Sequence, residues 1–188
     1  MTENNKLIIL SHSKEGALII RLSEIEDFLI VKGEMDTNRF PEAGDNTLKL
    51  LTPVSYELTV RKFDDTVTVE GPLNFEALLN CSRCLDEYRL SFSLGMNVKL
   101  APITELPRAP ELELHNEDLD VYYYEGDEID LDPFVYEEVM LNMPVRPLCR
   151  EECKGICGSC GKNRNRQPCD CHEAPSSLLG EKLKSFLN

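Results

Sequence analysis

Short alternating runs dominate the apolar pattern of this chain, and long periodic ones are rare. Leu7–Leu10, Ala17–Leu22 and Phe28–Val31 are brief β-like runs. Asp36–Asn46 is polar, holds Pro41 and Gly44, and reads as a loop. Ser55–Lys62 (SYELTVRK) and Thr66–Gly71 (TVTVEG) are cleaner strand signals, and Phe63-Asp64-Asp65 between them predicts a hairpin. Phe75–Leu79 leads into Cys81-Ser82-Arg83-Cys84, and Tyr88–Leu100 leads out with partial alternation. That predicts a long hairpin with CxxC at its turn. Pro102–Pro110 breaks the sheet, and Val121–Tyr124 predicts another short strand.

The best helix signal begins at Asp132-Pro133, an Asp N-cap with Pro at the first helical position. The predicted helix runs PFVYEEVMLNM and stops before Pro144, with Phe134, Val135, Val139 and Met143 on its apolar side. Residues 145–172 are rich in Pro, Gly and Cys and predict no regular element. Ser176 or Ser177 can cap a final amphipathic helix, LLGEKLKSFL, although Gly180 weakens it. The expected fold class is α+β: an antiparallel β-sheet core, with a barrel-like closure as one form of it, one or two short helices and a Cys-rich, zinc-ribbon-like C-terminal module. The expected division is a β-rich domain over 1–145, a Cys-rich module over 146–172 packed on the CxxC hairpin, and a tail or helix over 173–188.

The 188 residues suit one domain plus a small satellite. They are too few for an α/β barrel, which takes about 250. No apolar run approaches the roughly 20 residues of a membrane span. The N-terminus, MTENNKLIILSHSKEG, lacks the basic and apolar regions of a signal peptide, so a cytoplasmic location is expected. Eight cysteines in a reducing compartment argue for metal, redox or catalytic use.

Net charge is −14, which excludes the bulk basic field of a typical nucleic-acid binder. It is unevenly spread. Glu111 to Glu138 carries 12 acidic residues and no Lys or Arg. Such a stretch reads as solvated surface, or more sharply as a mimic of nucleic acid or a cover for a basic partner protein. Residues 146–171, with six basic and three acidic side chains, are the only basic segment and also the Cys-rich one.

Six cysteines there follow Cys149-x3-Cys153-x3-Cys157-x2-Cys160-x8-Cys169-x-Cys171, and Cys81 and Cys84 complete the set. A two-residue gap lets both thiolates of a CxxC face one cation. Gly161 after Cys160 permits the tight turn in which backbone N–H groups approach the sulfurs. Zinc takes four tetrahedral ligands and suits thiolates, and eight cysteines make two such sets, for one or two structural Zn2+ ions. The favoured grouping is Cys157, Cys160, Cys169 and Cys171 as a local site, with Cys81, Cys84, Cys149 and Cys153 as a second. The rival joins 81/84 with 157/160. His172 can replace a thiolate but reads better as an exposed neighbour, and His12 and His115 have no ligand-like neighbours.

Other uses of the thiols fit less well. Nothing suggests the secreted setting that a disulfide framework needs. Common ferredoxin spacings do not occur. Cys153–Cys160 matches the C-x3-C-x2-C of radical SAM enzymes, but too little chain follows it for their barrel. Neither CxxC is followed by the strong helix of a thioredoxin-like redox site. There is no Gly-rich phosphate loop, GxSxG or HExxH. The pairs Glu137-Glu138 and Glu151-Glu152 read as surface, so no enzyme is expected. Arg146, Arg150, Lys154, Lys162, Arg164 and Arg166 interleave with the thiols. They are candidate RNA contacts, as zinc knuckles make on single strands. Equally, they can balance the formal −2 of each four-thiolate zinc. No aromatic residue lies between 146 and 171 to stack a base.

Together CSRCL (81–85), LDPFVYEEVMLNMPVRPLC (131–149), CKGICGSCGKNRN (153–165) and CDC (169–171) resemble the YceD family, the large ribosomal RNA subunit accumulation proteins. The resemblance covers roughly residues 50–172 and is weak over 1–45, and the tail after Cys171 departs from it. It implies a non-enzymatic, bacterial or organellar role in processing or accumulation of large-subunit (23S) rRNA. The leading expectation is therefore a zinc-stabilised ribosome biogenesis factor whose partner is that rRNA or its precursor, with no membrane and no small-molecule substrate. The alternative is an acidic chaperone or adaptor for a basic large-subunit ribosomal protein, without direct RNA contact.

Overall fold

The computed structural model describes residues 17–40, 49–105 and 121–171. The strand expected at Leu7–Leu10, the C-terminal helix, residues 111–120 of the acidic stretch and the three histidines lie outside the described residues. Contacts divide the chain into two compact units. The first comprises residues up to 78 together with 89–144, and the second comprises 79–88 together with 145 onward.

The first unit is built of β-strands in two sheets and one helix. Its strands are β1 (Ile19–Arg21), β2 (Phe28–Met35), β3 (Lys49–Leu50), β4 (Val54–Phe63), β5 (Thr66–Asn80), β6 (Glu87–Pro102), β7 (Val121–Tyr124) and β8 (Glu128–Asp130). The main sheet has the order β2-β4-β5-β6-β7, with β3 also on β5. Alternation in the sequence sets its buried face: Val54, Tyr56, Leu58 and Val60 of β4 and Val67, Val69, Leu73, Phe75 and Ala77 of β5 all point inward. The β4–β5 hairpin closes with Phe63 opposite Thr66, leaving Asp64-Asp65 as the loop. Asp64 takes φ 52, a left-handed conformation that a short Asp side chain tolerates.

The structure departs from three expectations. Among the described residues the sheet stays open and is not barrel-like. β7 joins β6 in parallel, which makes the sheet mixed, and β1 pairs with β8 in a separate two-stranded sheet. The helix α1 spans Asp132–Leu141 and buries Val135 and Val139, one turn apart. Pro133 lies in its first turn as expected, but Asp132 is not its side-chain cap. That carboxylate accepts the Leu18 N–H at 3.1 Å and pairs with Arg39, so a tertiary bond takes the group that local sequence assigned to the helix.

Candidate metal centre

The second unit holds all eight cysteines, none of them in a disulfide. β5 ends at Asn80 and β6 begins at Glu87, so the turn of this long hairpin is Cys81–Asp86. Within it the Cys81 N–H donates to Asp86 O at 3.0 Å, and the Leu85 N–H donates to Cys81 O at 2.9 Å. Leu85 takes φ 61. The same bonds recur 76 positions on. The Cys157 N–H donates to Lys162 O at 2.8 Å, the Gly161 N–H donates to Cys157 O at 2.9 Å, and Gly161 takes φ 72. CSRCL and CGSCG thus form one backbone knuckle twice.

The knuckle aims N–H groups at its first sulfur. Burial alone would raise the Cys81 thiol, but the backbone N–H groups of Cys149, Cys84 and Arg83 outweigh it and bring the pKa down to about 6. For Cys157, the N–H groups of Cys160 and Ser159 lead, and the pKa again falls to about 6. The partner thiols move the other way. Burial pushes Cys84 up to about 12. Hydrogen bonding with Cys160, then burial, pushes Cys171 up to about 11. Each set therefore has one thiol ready to ionise beside another that keeps its proton.

The structure brings the thiols together as two fours. Cys81, Cys84, Cys149 and Cys153 form one group and Cys157, Cys160, Cys169 and Cys171 the other, the sulfurs of each within 4.8 Å of one another. The two CxxC pairs lie in separate groups, so the rival pairing is not the one formed. Cys81 and Cys153 Sγ are 3.7 Å apart, and Cys84 and Cys149 Sγ 3.8 Å. A tetrahedron of thiolates at about 2.3 Å from a zinc ion has edges of about 3.8 Å, so these spacings fit such an ion. Both groups can hold a metal.

Burial separates them. Cys81, Cys84 and Cys153 are buried and Cys149 half-buried, packed with Tyr88 and Leu148. In the other group only Cys157 is buried, Cys169 is half-buried, and Cys160 and Cys171 are exposed. We call them the buried group and the open group.

Three residues, Lys154-Gly155-Ile156, join Cys153 of one group to Cys157 of the other. Gly155 has φ 70, and a Cβ there would stand 2.9 Å from Arg83 O. The Ile156 N–H donates to that carbonyl at 2.9 Å. Arg83, which sequence reasoning passed over, donates from Nη1 to Glu151 O at 2.8 Å and to Cys153 O at 3.1 Å. All six cations singled out in the sequence are exposed, and Arg166 pairs with Asp86 at 3.0 Å. Asn163 and Asn165 bond within the unit. Asn163 Nδ2 donates to Asp86 Oδ2 at 2.8 Å, and the Asn165 N–H donates to Asn163 Oδ1 at 2.9 Å. The signal for the second bond was available, since Asn side chains commonly bind backbone two residues on.

A mixed sheet whose longest hairpin ends in a cysteine knuckle, with a second knuckle of the same backbone, defines a class of Cys-rich β protein with two four-cysteine groups. The family model for the large ribosomal RNA subunit accumulation protein YceD matches residues 69–187, and the chain belongs to that family. Among curated proteins, an uncharacterized protein of Mycobacterium leprae is 26% identical over 64% of this chain and 54% of its own length. Another, of Mycobacterium tuberculosis strain H37Rv, is 29% identical over 62% of this chain and 54% of its own length. The large ribosomal RNA subunit accumulation protein YCED homolog 1, chloroplastic, of Arabidopsis thaliana is 39% identical over 23% of this chain and 14% of its own length. The chain spans about half the length of the mycobacterial relatives. No solved structure matches it. Among the described residues no helix is long and apolar enough to cross a membrane.

Proposed function

We propose that this chain is a non-enzymatic ribosome biogenesis factor of the cytoplasm that promotes processing or accumulation of large-subunit rRNA, with structural zinc in both thiolate groups. Family membership supplies the process. The observation that supports direct RNA contact is the exposure of Arg146, Arg150, Lys154, Lys162 and Arg164 on the unit that carries the thiols. Zinc fits through its preference for four thiolates, and its part is to hold the knuckles that display these cations. Arg166 is held by Asp86, so it serves the unit's own structure before any RNA.

Net charge favours a second reading. At −14, the chain as a whole suits a basic ribosomal protein better than a polyanion. Ultraviolet cross-linking of the tagged protein in cells, with sequencing of the attached RNA, separates the two. Direct contact predicts discrete cross-links on large-subunit rRNA that are lost in Lys162→Ala/Arg164→Ala. An absence of cross-links, together with a nuclease-resistant complex with a basic ribosomal protein, would replace the first reading by the second.

A further inference from the structure

The loop that closes the open group also reaches the buried group. Residues 161–168 are the spacer between Cys160 and Cys169, so both of its ends are ligands of the open group. Its middle is tied elsewhere. Asn165 Nδ2 donates to Cys153 Sγ at 3.2 Å, a sulfur of the buried group. Asn165 Oδ1 accepts the Lys154 N–H at 2.8 Å, beside that same cysteine. The Arg164 N–H donates to Gly155 O at 2.9 Å, and Ile156 and Asn163 form an isolated antiparallel bridge. Asn163 and Arg166 both grip Asp86, two residues past Cys84.

We infer that Asn165 is a positioning residue through which metal in the open group tightens the hold of the buried group on its own metal; this rests on the metal reading proposed above. An N–H aimed at a coordinated thiolate stabilises the charge on that sulfur and fixes its direction, and such outer-sphere partners commonly change metal affinity about 10- to 100-fold. Asn165 can hold its place only while the spacer is folded. A metal at Cys157, Cys160, Cys169 and Cys171 fixes both ends of the spacer and removes the entropy that would otherwise oppose that fold. The coupling is reciprocal, so loading the buried group, which fixes Cys153 and with it Lys154–Ile156, tightens the open one by the same factor.

The test is cobalt titration of the full-length chain against a competing chelator, read by thiolate-to-cobalt charge-transfer absorption. The wild type should take up two ions per chain. Cys160→Ser/Cys171→Ser leaves one, in the buried group, and its affinity should fall on the order of 10-fold below the corresponding wild-type step. Asn165→Ala should weaken that step comparably while both sites still fill. Adding Asn165→Ala to the double serine variant should cost little more, because the bond is already lost. Asn165→Asp keeps the acceptor for the Lys154 N–H but removes the donor to sulfur, and it should be at least as weak as Ala. Unchanged steps in Asn165→Ala, fully multiplicative losses in the triple variant, or rescue by Asp would each overturn the inference and leave the metal reading standing. A wild-type chain that takes up no cobalt would overturn the metal reading, and this inference with it.

Discussion

The two thiolate groups are built from the same knuckle and still differ in almost every physical respect. The buried group draws its ligands from the β5–β6 turn and from a segment more than sixty residues later, so it ties together two distant stretches of chain. The open group is local, all four ligands falling between Cys157 and Cys171. A metal in the first would close a long loop beside Tyr88 and Leu148, so that its binding energy would become folding energy. A metal in the second would organise a short loop in which two of the four cysteines, Cys160 and Cys171, are exposed. A repeated sequence motif therefore does not imply a repeated environment; burial and loop length differ between the two copies.

The largest expected effect breaks that comparison if it fails. Cys84→Ser should cost at least about 4 kcal/mol in zinc-loaded unfolding, the loss typical of a structural metal site, and Cys171→Ser clearly less. Denaturant titration with zinc present decides it; equal losses would make the groups equivalent.

Next come two left-handed glycines, Gly155 and Gly161. Gly155→Ala meets both a positive φ and the Arg83 carbonyl at 2.9 Å, and should cost about 2–3 kcal/mol. Gly161→Ala has open space around its Cβ and should cost only the conformational strain, about 1–2 kcal/mol. Thermal melts of the two variants give the order directly.

The pH dependence of the metal-free chain should sharpen the contrast within a knuckle. Cys81 has a folded pKa of about 6, below the roughly 8.5 of an unfolded thiol. Its contribution is complete above about pH 8.5 and is lost as the pH falls through 6. Cys84, at about 12, works oppositely and loses stability as the pH rises from about 8.5 toward 12. Denaturation midpoints measured with chelator should therefore peak near pH 8.5, and a flat profile would remove the N–H-to-sulfur account.

The smallest effect compares the fifth residue of each knuckle. Leu85 is 64% exposed and holds the left-handed conformation that Gly161 holds in the other copy. Leu85→Gly relieves that strain with little lost burial. It should raise stability by no more than about 1 kcal/mol, read by thermal melting.

Much of this was legible along the chain. Alternation over Ser55–Lys62 and Thr66–Gly71 marked the β4–β5 hairpin, because a half-buried strand must alternate. The CxxC between two strand signals marked the β5–β6 turn, and spacing alone led to the two sets of four thiols that the structure assembles. Pro133 and Pro144 bracketed α1, since proline fits only a helix's first turn and ends what precedes it. β8 was missed because three residues, Glu128–Asp130, offer too little pattern to stand out from an acidic stretch. The parallel seat of β7 was missed because pairing direction depends on where a chain returns after a crossover, which residue identity does not encode.

Sequence by itself determined that this chain has CxxC knuckles at Cys81 and Cys157, an alternating sheet core, and a basic segment that coincides with its Cys-rich stretch. Those features follow from local chemistry: two-residue spacing, period-two burial and charge. Only the tertiary structure decided that Asp132 serves Leu18 and Arg39 and not its own helix, that Arg166 belongs to Asp86, and that Asn165 touches the sulfur of Cys153. It alone made one thiolate group buried and the other open. Each of these is a contact between residues far apart in the chain or a share of solvent exposure, and both are set by how the whole chain packs.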